Sequence, residues 1–112
     1  MTPEAVVQNQ LDAYNNRNIE DFIACHAKNV ELFSFTESIP YLKGREHLKK
    51  TYNEIFESSP NLYSKLLKRI VFGNKVIDYE EITGRKGVEL LELVAIYEIE
   101  NEVIARAHFI RK

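Results

Sequence analysis

The stretch Val88-Glu-Leu-Leu-Glu-Leu-Val-Ala-Ile-Tyr-Glu98 decides how this chain is read. Its branched and aromatic content predicts a long strand. Side chains alternate faces along a strand. One set holds Leu91, Leu93, Ala95 and Tyr97, and the other holds Leu90, Val94 and Ile96. Both faces are apolar, so both need a cover. Short helices can cover one face only, and a second subunit is the simplest cover for the other.

Outward from this strand the pattern stays β. Downstream, Glu100-Asn101 turns the chain into Val103 to Ile110. Upstream, Gly84-Arg85-Lys86-Gly87 separates it from a strand over Lys75 to Thr83. Gly73-Asn74, a pair suited to a tight hairpin, joins that strand to Leu62 to Phe72. Earlier, Val30 to Phe35 predicts one more strand.

The helices lie ahead of this meander. Thr2, Pro3 and Glu4 form an N-cap, a first-turn proline and an acid at the positive helix end. Val7, Leu11 and Tyr14 follow at helical spacing, and Asn15, Asn16 and Asn18 end that helix and cap the next. Ile19, Phe22, Ile23 and His26 form a second apolar face, with Glu20 and Asp21 in its first turn. Gly44 opens a third helix with Leu48, Tyr52, Ile55 and Phe56 on one side, stopped by Ser58, Ser59 and Pro60. Helix, helix, strand, helix and then four meandering strands predict a single α+β domain over residues 1–112.

Composition excludes several functions. Hydrophobic residues are 45%, charged residues 29% and the net charge is −2, which suits one folded core and gives no basic field for nucleic acid. The densest positive cluster, Lys65, Lys68 and Arg69, reads as a solvated strand face. No apolar run approaches the roughly 20 residues of a membrane span. The expectation is no nucleic acid and no membrane partner. Cys25 is the only cysteine, so a reducing compartment is the simpler assumption. Met-Thr-Pro-Glu-Ala lacks a signal pattern, and the expected location is cytoplasmic.

The order of elements and several strings resemble the nuclear transport factor 2-like superfamily, whose small members include ketosteroid isomerases and SnoaL-like, polyketide cyclase-like proteins. The strings are Asn18-Ile-Glu-Asp-Phe-Ile, Ala27-Lys-Asn-Val, Lys43-Gly-Arg-Glu-His-Leu with Tyr52 after it, and Val94-Ala-Ile-Tyr-Glu-Ile-Glu-Asn-Glu-Val-Ile. The resemblance covers nearly the whole chain. It implies a cone-shaped roll of three N-terminal helices on a curved antiparallel sheet, a pocket between them, and commonly a dimer. It fixes no reaction. Where ketosteroid isomerases carry a tyrosine donor, an aspartate base and a protonated aspartic acid, this chain has Gln10, Ser34 and Ala95. Steroid isomerisation by that mechanism is therefore not expected. Tyr52 and His26 fall where those enzymes carry pocket tyrosines.

Candidate site residues follow. His26 reads either as a core histidine or as a pocket acid, base or donor. Arg106 and His108 alternate with Ala105, Ala107 and Phe109. The resemblance turns Arg106, His108 and Ile110 toward the pocket; the alternative puts Arg106 and His108 on solvent or a dimer seam. Asp78 and Glu80 share one strand face, which is either exposed or aimed inward at Arg106 or His108. The candidate bases are thus His26, Asp78, Glu80 and His108. Expected polar contacts are Tyr14, His26, Tyr52, Arg106 and His108, and the expected apolar lining is Phe22, Phe56, Leu91 and Leu93. His26, His47 and His108 lack metal-ligand spacing and Cys25 has no partner. His47, among charged neighbours, reads as exposed. No nucleotide or phosphate motif is present, so neither metal nor cofactor is expected. The leading expectation is a homodimer, paired through the sheet, that binds a small apolar or partly polar molecule. The alternatives are an isomerase, cyclase or dehydratase working by proton transfer, and a protein-interaction module.

Overall fold

Thr2 starts the first helix: its backbone is extended and its Oγ1 accepts from the Ala5 N–H at 3.1 Å. The computed structural model describes residues 1–112. Helix α1 (Pro3–Asn15) buries Val6, Val7, Gln10, Leu11, Ala13 and Tyr14. Asn18 caps α2 (Ile19–Ala24) by accepting from the Asp21 N–H at 3.1 Å. Helix α3 (Arg45–Ser58) follows Gly44, whose φ of +88° suits glycine, and buries Leu48 and Phe56. None of these helices is long and apolar enough to cross a membrane.

Helix α2 ends sooner than its apolar spacing predicts. His26 opens a strand, β1 (His26–Ser34), rather than closing the helix. The cause is distant in sequence: Ile104 donates its N–H to the Cys25 carbonyl at 2.8 Å, and His26 pairs with Ile104 in parallel. A two-residue strand, β2 (Leu42–Lys43), lies antiparallel to β1. Strands β3 (Tyr63–Phe72), β4 (Lys75–Thr83), β5 (Leu90–Glu100) and β6 (Val103–Arg111) form the meander. The six strands run β2-β1-β6-β5-β4-β3. Register shifts lie between His26 and Glu31, Leu66 and Lys68, and Glu98 and Ile99. Such irregularities bend a sheet, and this one curves without closing, with the helices on its concave side.

The register sets which side chains face the helices. Tyr97 pairs with Ala107 and Ala95 with Phe109, and all four are buried. Glu98 pairs with Arg106 and Ile96 with His108 on the convex face. This corrects the expectation that Arg106 and His108 point into the cone. Arg106 is held by Glu98 and Glu100, and the His108 ring stacks on Phe33 with centroids 4.5 Å apart. The shift beside Leu66 splits the positive cluster too. Lys65 lies opposite Glu81 and Lys68 opposite Tyr79, whereas Arg69 meets Asp78 on the concave side. Arg69 is therefore part of an inward ion pair rather than a solvated face.

An aromatic cluster joins the helices above the sheet. Phe22 and Tyr52 centroids are 4.7 Å apart, and Tyr14 meets Phe56 edge-on at 5.6 Å. Each such pair contributes about 0.5–1.5 kcal/mol beyond its buried area. The β4–β5 turn is pinned beside this cluster at two points. Ser59 Oγ accepts from the Lys86 N–H at 3.0 Å. Gly84, at φ +77°, lies so close to Asn61 that a Cβ there would sit 2.0 Å from its carbonyl oxygen.

Gly84→Ala is expected to lose more than about 2 kcal/mol of stability, read from urea unfolding. Gly87→Ala, at φ +83° with nothing within 4 Å of the added carbon, is expected to lose about 1 kcal/mol. Equal losses would show that the approach to Asn61 carries no weight.

Candidate functional site

Residues four apart on a helix share a face, so Gln10 and Tyr14 both point from α1 toward the sheet. Tyr52 and Ile55 reach the same space from α3. Glu80 and Ile82 rise from β4, Leu91, Leu93 and Tyr97 from β5, and Phe109 and Arg111 from β6. Arg85 closes the ring from the β4–β5 turn. Together these twelve side chains enclose a recess of about 50 Å³ between helices and sheet.

Four of its polar groups are unusual in having no partner in the protein. Gln10, Tyr14 and Tyr97 are nearly fully buried, and Tyr52 is half-buried. Neither the Gln10 amide nor the three hydroxyls makes a hydrogen bond to another protein group. Yet no buried side-chain polar atom of the chain is both sealed and unsatisfied, so these groups reach the open space of the recess. An unmet buried polar group costs about 1–3 kcal/mol. Four of them around one cavity mark a place where a bound molecule or water completes the hydrogen bonding. Burial raises the hydroxyls of Tyr14, Tyr52 and Tyr97 above the ordinary tyrosine value. All three therefore stay protonated and available as donors.

Glu80 is the acid of the recess. Burial pushes its carboxyl up to about 7, and the Asp78 carboxylate adds to the rise, while the Ser64 hydroxyl and Arg69 oppose it. Ser64 Oγ donates to Glu80 Oε1. Ser64 is itself clamped by Asn15, whose Oδ1 accepts its N–H at 2.7 Å and whose Nδ2 donates to its carbonyl at 3.0 Å. The end of α1 thus holds the carboxylate in place through β3. Asp78 plays another part. Both of its oxygens accept from Arg69, at 2.7 and 2.9 Å, and Arg69 also donates to Gln8 Oε1 at 2.8 Å. It faces the concave side as the sharper reading had it, but its partner is Arg69 rather than Arg106 or His108, and it does not line the recess.

Of the expected residues, the fold brings Tyr14, Tyr52, Glu80, Leu91 and Leu93 together. Phe22 and Phe56 form the wall behind Tyr14 and Tyr52. His26 lies deeper, under Phe22 at a centroid distance of 4.8 Å, with Nδ1 donating to the Phe22 carbonyl at 2.8 Å. It takes the core position of the plainer reading, and burial lowers it to about 4. Arg106 and His108 are on the opposite face of the sheet. His47 is exposed.

Tyr97, Phe109, Arg85 and Arg111 line the recess without having been among the expected site residues. Tyr97 belongs to the inward set of β5 and was legible from alternation. Gln10, four residues before Tyr14, shares its buried face of α1. Arg85, in a turn, had no periodic signal. A wider hollow of about 400 Å³ lies between α1 and α2. It is open, and its Asn16, Asn18 and Asp21 are occupied in capping the helix ends. No three His, Cys, Asp or Glu side chains gather as a metal site would require.

A family model described as the SnoaL-like domain matches residues 7–107. No curated protein sequence matches the chain. An uncharacterized cystatin-fold protein from Novosphingobium aromaticivorans superposes with a TM-score of 0.90 at 19% identity, covering 99% of each chain. An NTF2-like protein of unknown function from Cytophaga hutchinsonii gives 0.84 at 16% identity, over 100% of this chain and 91% of its own. A hypothetical protein with a ketosteroid isomerase-like fold from Catenulispora acidiphila, in complex with trimethylamine, gives 0.77 at 18%, over 97% and 85%. At these identities the structures share the fold.

Glu80 and His26 titrate with opposite effect on stability. The contribution of Glu80 is complete below its ordinary value of 4.5 and is lost as pH rises through about 7. That of His26 is complete above its ordinary value of 6.5 and is lost as pH falls through about 4. Each shift is worth roughly 3 kcal/mol, so the two offset each other in mildly acidic solution. Glu80→Gln is expected to gain about 2–3 kcal/mol on the wild type between about pH 5 and pH 8, measured by urea unfolding. A pH-independent difference would place Glu80 at an ordinary carboxyl value.

Proposed function

The chain belongs to the SnoaL-like family, and on that premise we propose that it binds a small, partly polar molecule in this recess, with Glu80 placed to exchange a proton with it. The observation that carries the reading is the convergence of Gln10, Tyr14, Tyr52 and Tyr97 without protein partners around one buried carboxyl. A carboxyl near 7 is half-ionised at neutral pH and serves as base or acid. Protonated hydroxyls and an amide beside it supply donors for an oxygen on which charge develops. This supports proton transfer next to a carbonyl, the step shared by isomerases, cyclases and dehydratases. The site differs from the ketosteroid isomerase arrangement, since Ala95 lies on the inner face and Ser34 is outside the lining. A steroid also far exceeds 50 Å³.

Butanone in D2O tests both halves of the reading. Ligand-observed NMR is expected to show saturable binding, weakened about 3- to 10-fold in Tyr52→Phe. Exchange of its α-hydrogens is expected to fall at least about 100-fold in Glu80→Gln. Binding with no exchange above buffer would leave a binding domain and remove the proton-transfer step.

We also propose that a second copy of the chain covers the convex face. Ile77, Val94 and Ile96 are half-buried there, and Ile70 and Ile110 are exposed. Ion pairs of Arg106 with Glu98 and of Lys112 with Glu92 flank this stripe. Contiguous apolar surface rimmed by charges marks an association face. Light scattering at micromolar concentration is expected to give twice the chain mass, and Ile96→Lys to give monomer, because an unpaired charge is not readily buried. A wild-type monomer would remove the dimer and leave the face to another protein.

A further inference from the structure

The six arginines of the chain have unequal employment. Arg17 donates to the carbonyls of Asn15 and Leu62, and Arg45 to that of His26. Arg69 is taken by Asp78, and Arg106 by Glu98 and Glu100. The two left without a carboxylate or carbonyl partner are Arg85 and Arg111, and both line the recess. Arg111 is steadied only by the Tyr41 hydroxyl at 3.1 Å and by lying over the rings of Phe109 and Tyr41. Arg85 makes no side-chain hydrogen bond or ion pair, although it is half-buried. Its turn is held by Gly84 against Asn61 and by Ser59 on Lys86, so the free guanidinium stands on a fixed base.

We propose that the recess selects a short carboxylic acid carrying a second oxygen, with its carboxylate held between Arg85 and Arg111. This rests on the small-molecule reading above and names the class of molecule. Two guanidinium forks from separate elements match the planar, bidentate geometry of a carboxylate. The only acid in the lining is Glu80, whose oxygen is engaged by Ser64, so the recess has cation to spare. Burial leaves that carboxyl half-neutral near pH 7, which widens the imbalance. Size sets the rest. A cavity that takes benzene measures about 150 Å³, three times the 50 Å³ enclosed here. By that proportion the enclosed part takes a body of only about two to three heavy atoms, so a short chain enters it where an aromatic ring does not, and the carboxylate lies at the mouth, where Arg111 is exposed and Arg85 half-buried. Ile55, Ile82, Leu91 and Leu93 surround that body. Gln10, Tyr14, Tyr52 and Tyr97 then meet an oxo or hydroxyl group, the second oxygen. With an oxo group, the carbon beside it would face Glu80, as the proposed proton exchange requires.

The matched pair 2-oxobutanoate and butanone isolates the carboxylate, since the two differ by a carboxylate in place of a methyl group. Titration calorimetry or ligand-observed NMR at neutral pH and low salt is expected to show the acid bound at least tenfold more tightly. In Arg85→Gln and in Arg111→Gln the ratio of the two affinities is expected to drop about tenfold or more, with urea midpoints checking that each variant folds. Equal affinity for acid and ketone in the wild type would overturn the carboxylate proposal and leave the small-molecule reading intact. An unchanged ratio in both variants would likewise overturn it, by showing that the arginines serve structure alone. Tighter binding of ethylphosphonate or inorganic phosphate than of 2-oxobutanoate would overturn the choice of carboxylate. Binding of neither member of the pair would overturn both readings together.

Discussion

Strand β5 pairs along its length with both β4 and β6, and the rest of the molecule takes its orientation from that. Once Leu93, Ala95 and Tyr97 point toward the helices, their partners across each ladder must point the same way. Glu80 then lies opposite Leu93, Asp78 opposite Ala95, and Phe109 opposite Ala95 on the other side. The floor of the recess is set by these pairings before any helix is considered. The helices add a roof, and the recess is the space their aromatic side chains leave unfilled.

Two buried carboxylates on one strand illustrate how a partner divides structure from chemistry. Asp78 and Glu80 are both nearly fully buried. Asp78 is met by a guanidinium in bidentate geometry, which keeps a buried charge tolerable. Glu80 is met by one hydroxyl, which is too little to offset burial, so its carboxyl rises toward neutral pH. The unpartnered hydroxyls above it are a similar departure from full satisfaction. Sites of this kind lower stability and are retained where binding or catalysis uses them.

The two faces of the sheet thus do different work with the same alternation. The concave face gathers small and aromatic groups, a titrating acid and the Arg111 cation, with Arg85 reaching over it from the β4–β5 turn. The convex face is an apolar stripe between ion pairs. A single strand with both faces apolar is the common origin, because it places one set of side chains in the core and leaves the other in need of cover.

The sequence by itself determined the order and type of the elements other than the two-residue β2, the two alternating sets of β5, and the aromatic faces of α1 and α3. These depend on local periods of two and 3.6 residues, which any window of the chain displays. Tyr14, Tyr52, Leu91 and Leu93 were legible for that reason. Only the tertiary structure decided the phase of the other strands. Alternation says that Arg106 and His108 share a face but not which one, and pairing of Ile96 with His108 settles it. The register shift beside Leu66 likewise turns Arg69 inward while Lys65 and Lys68 stay out. His26 left the helical stripe because a strand seventy-eight residues away captured it, through Ile104. Arg85 became part of the site through a turn packed on Asn61. In each case long-range pairing or close backbone packing made the choice, and a local pattern carries no information about its partner.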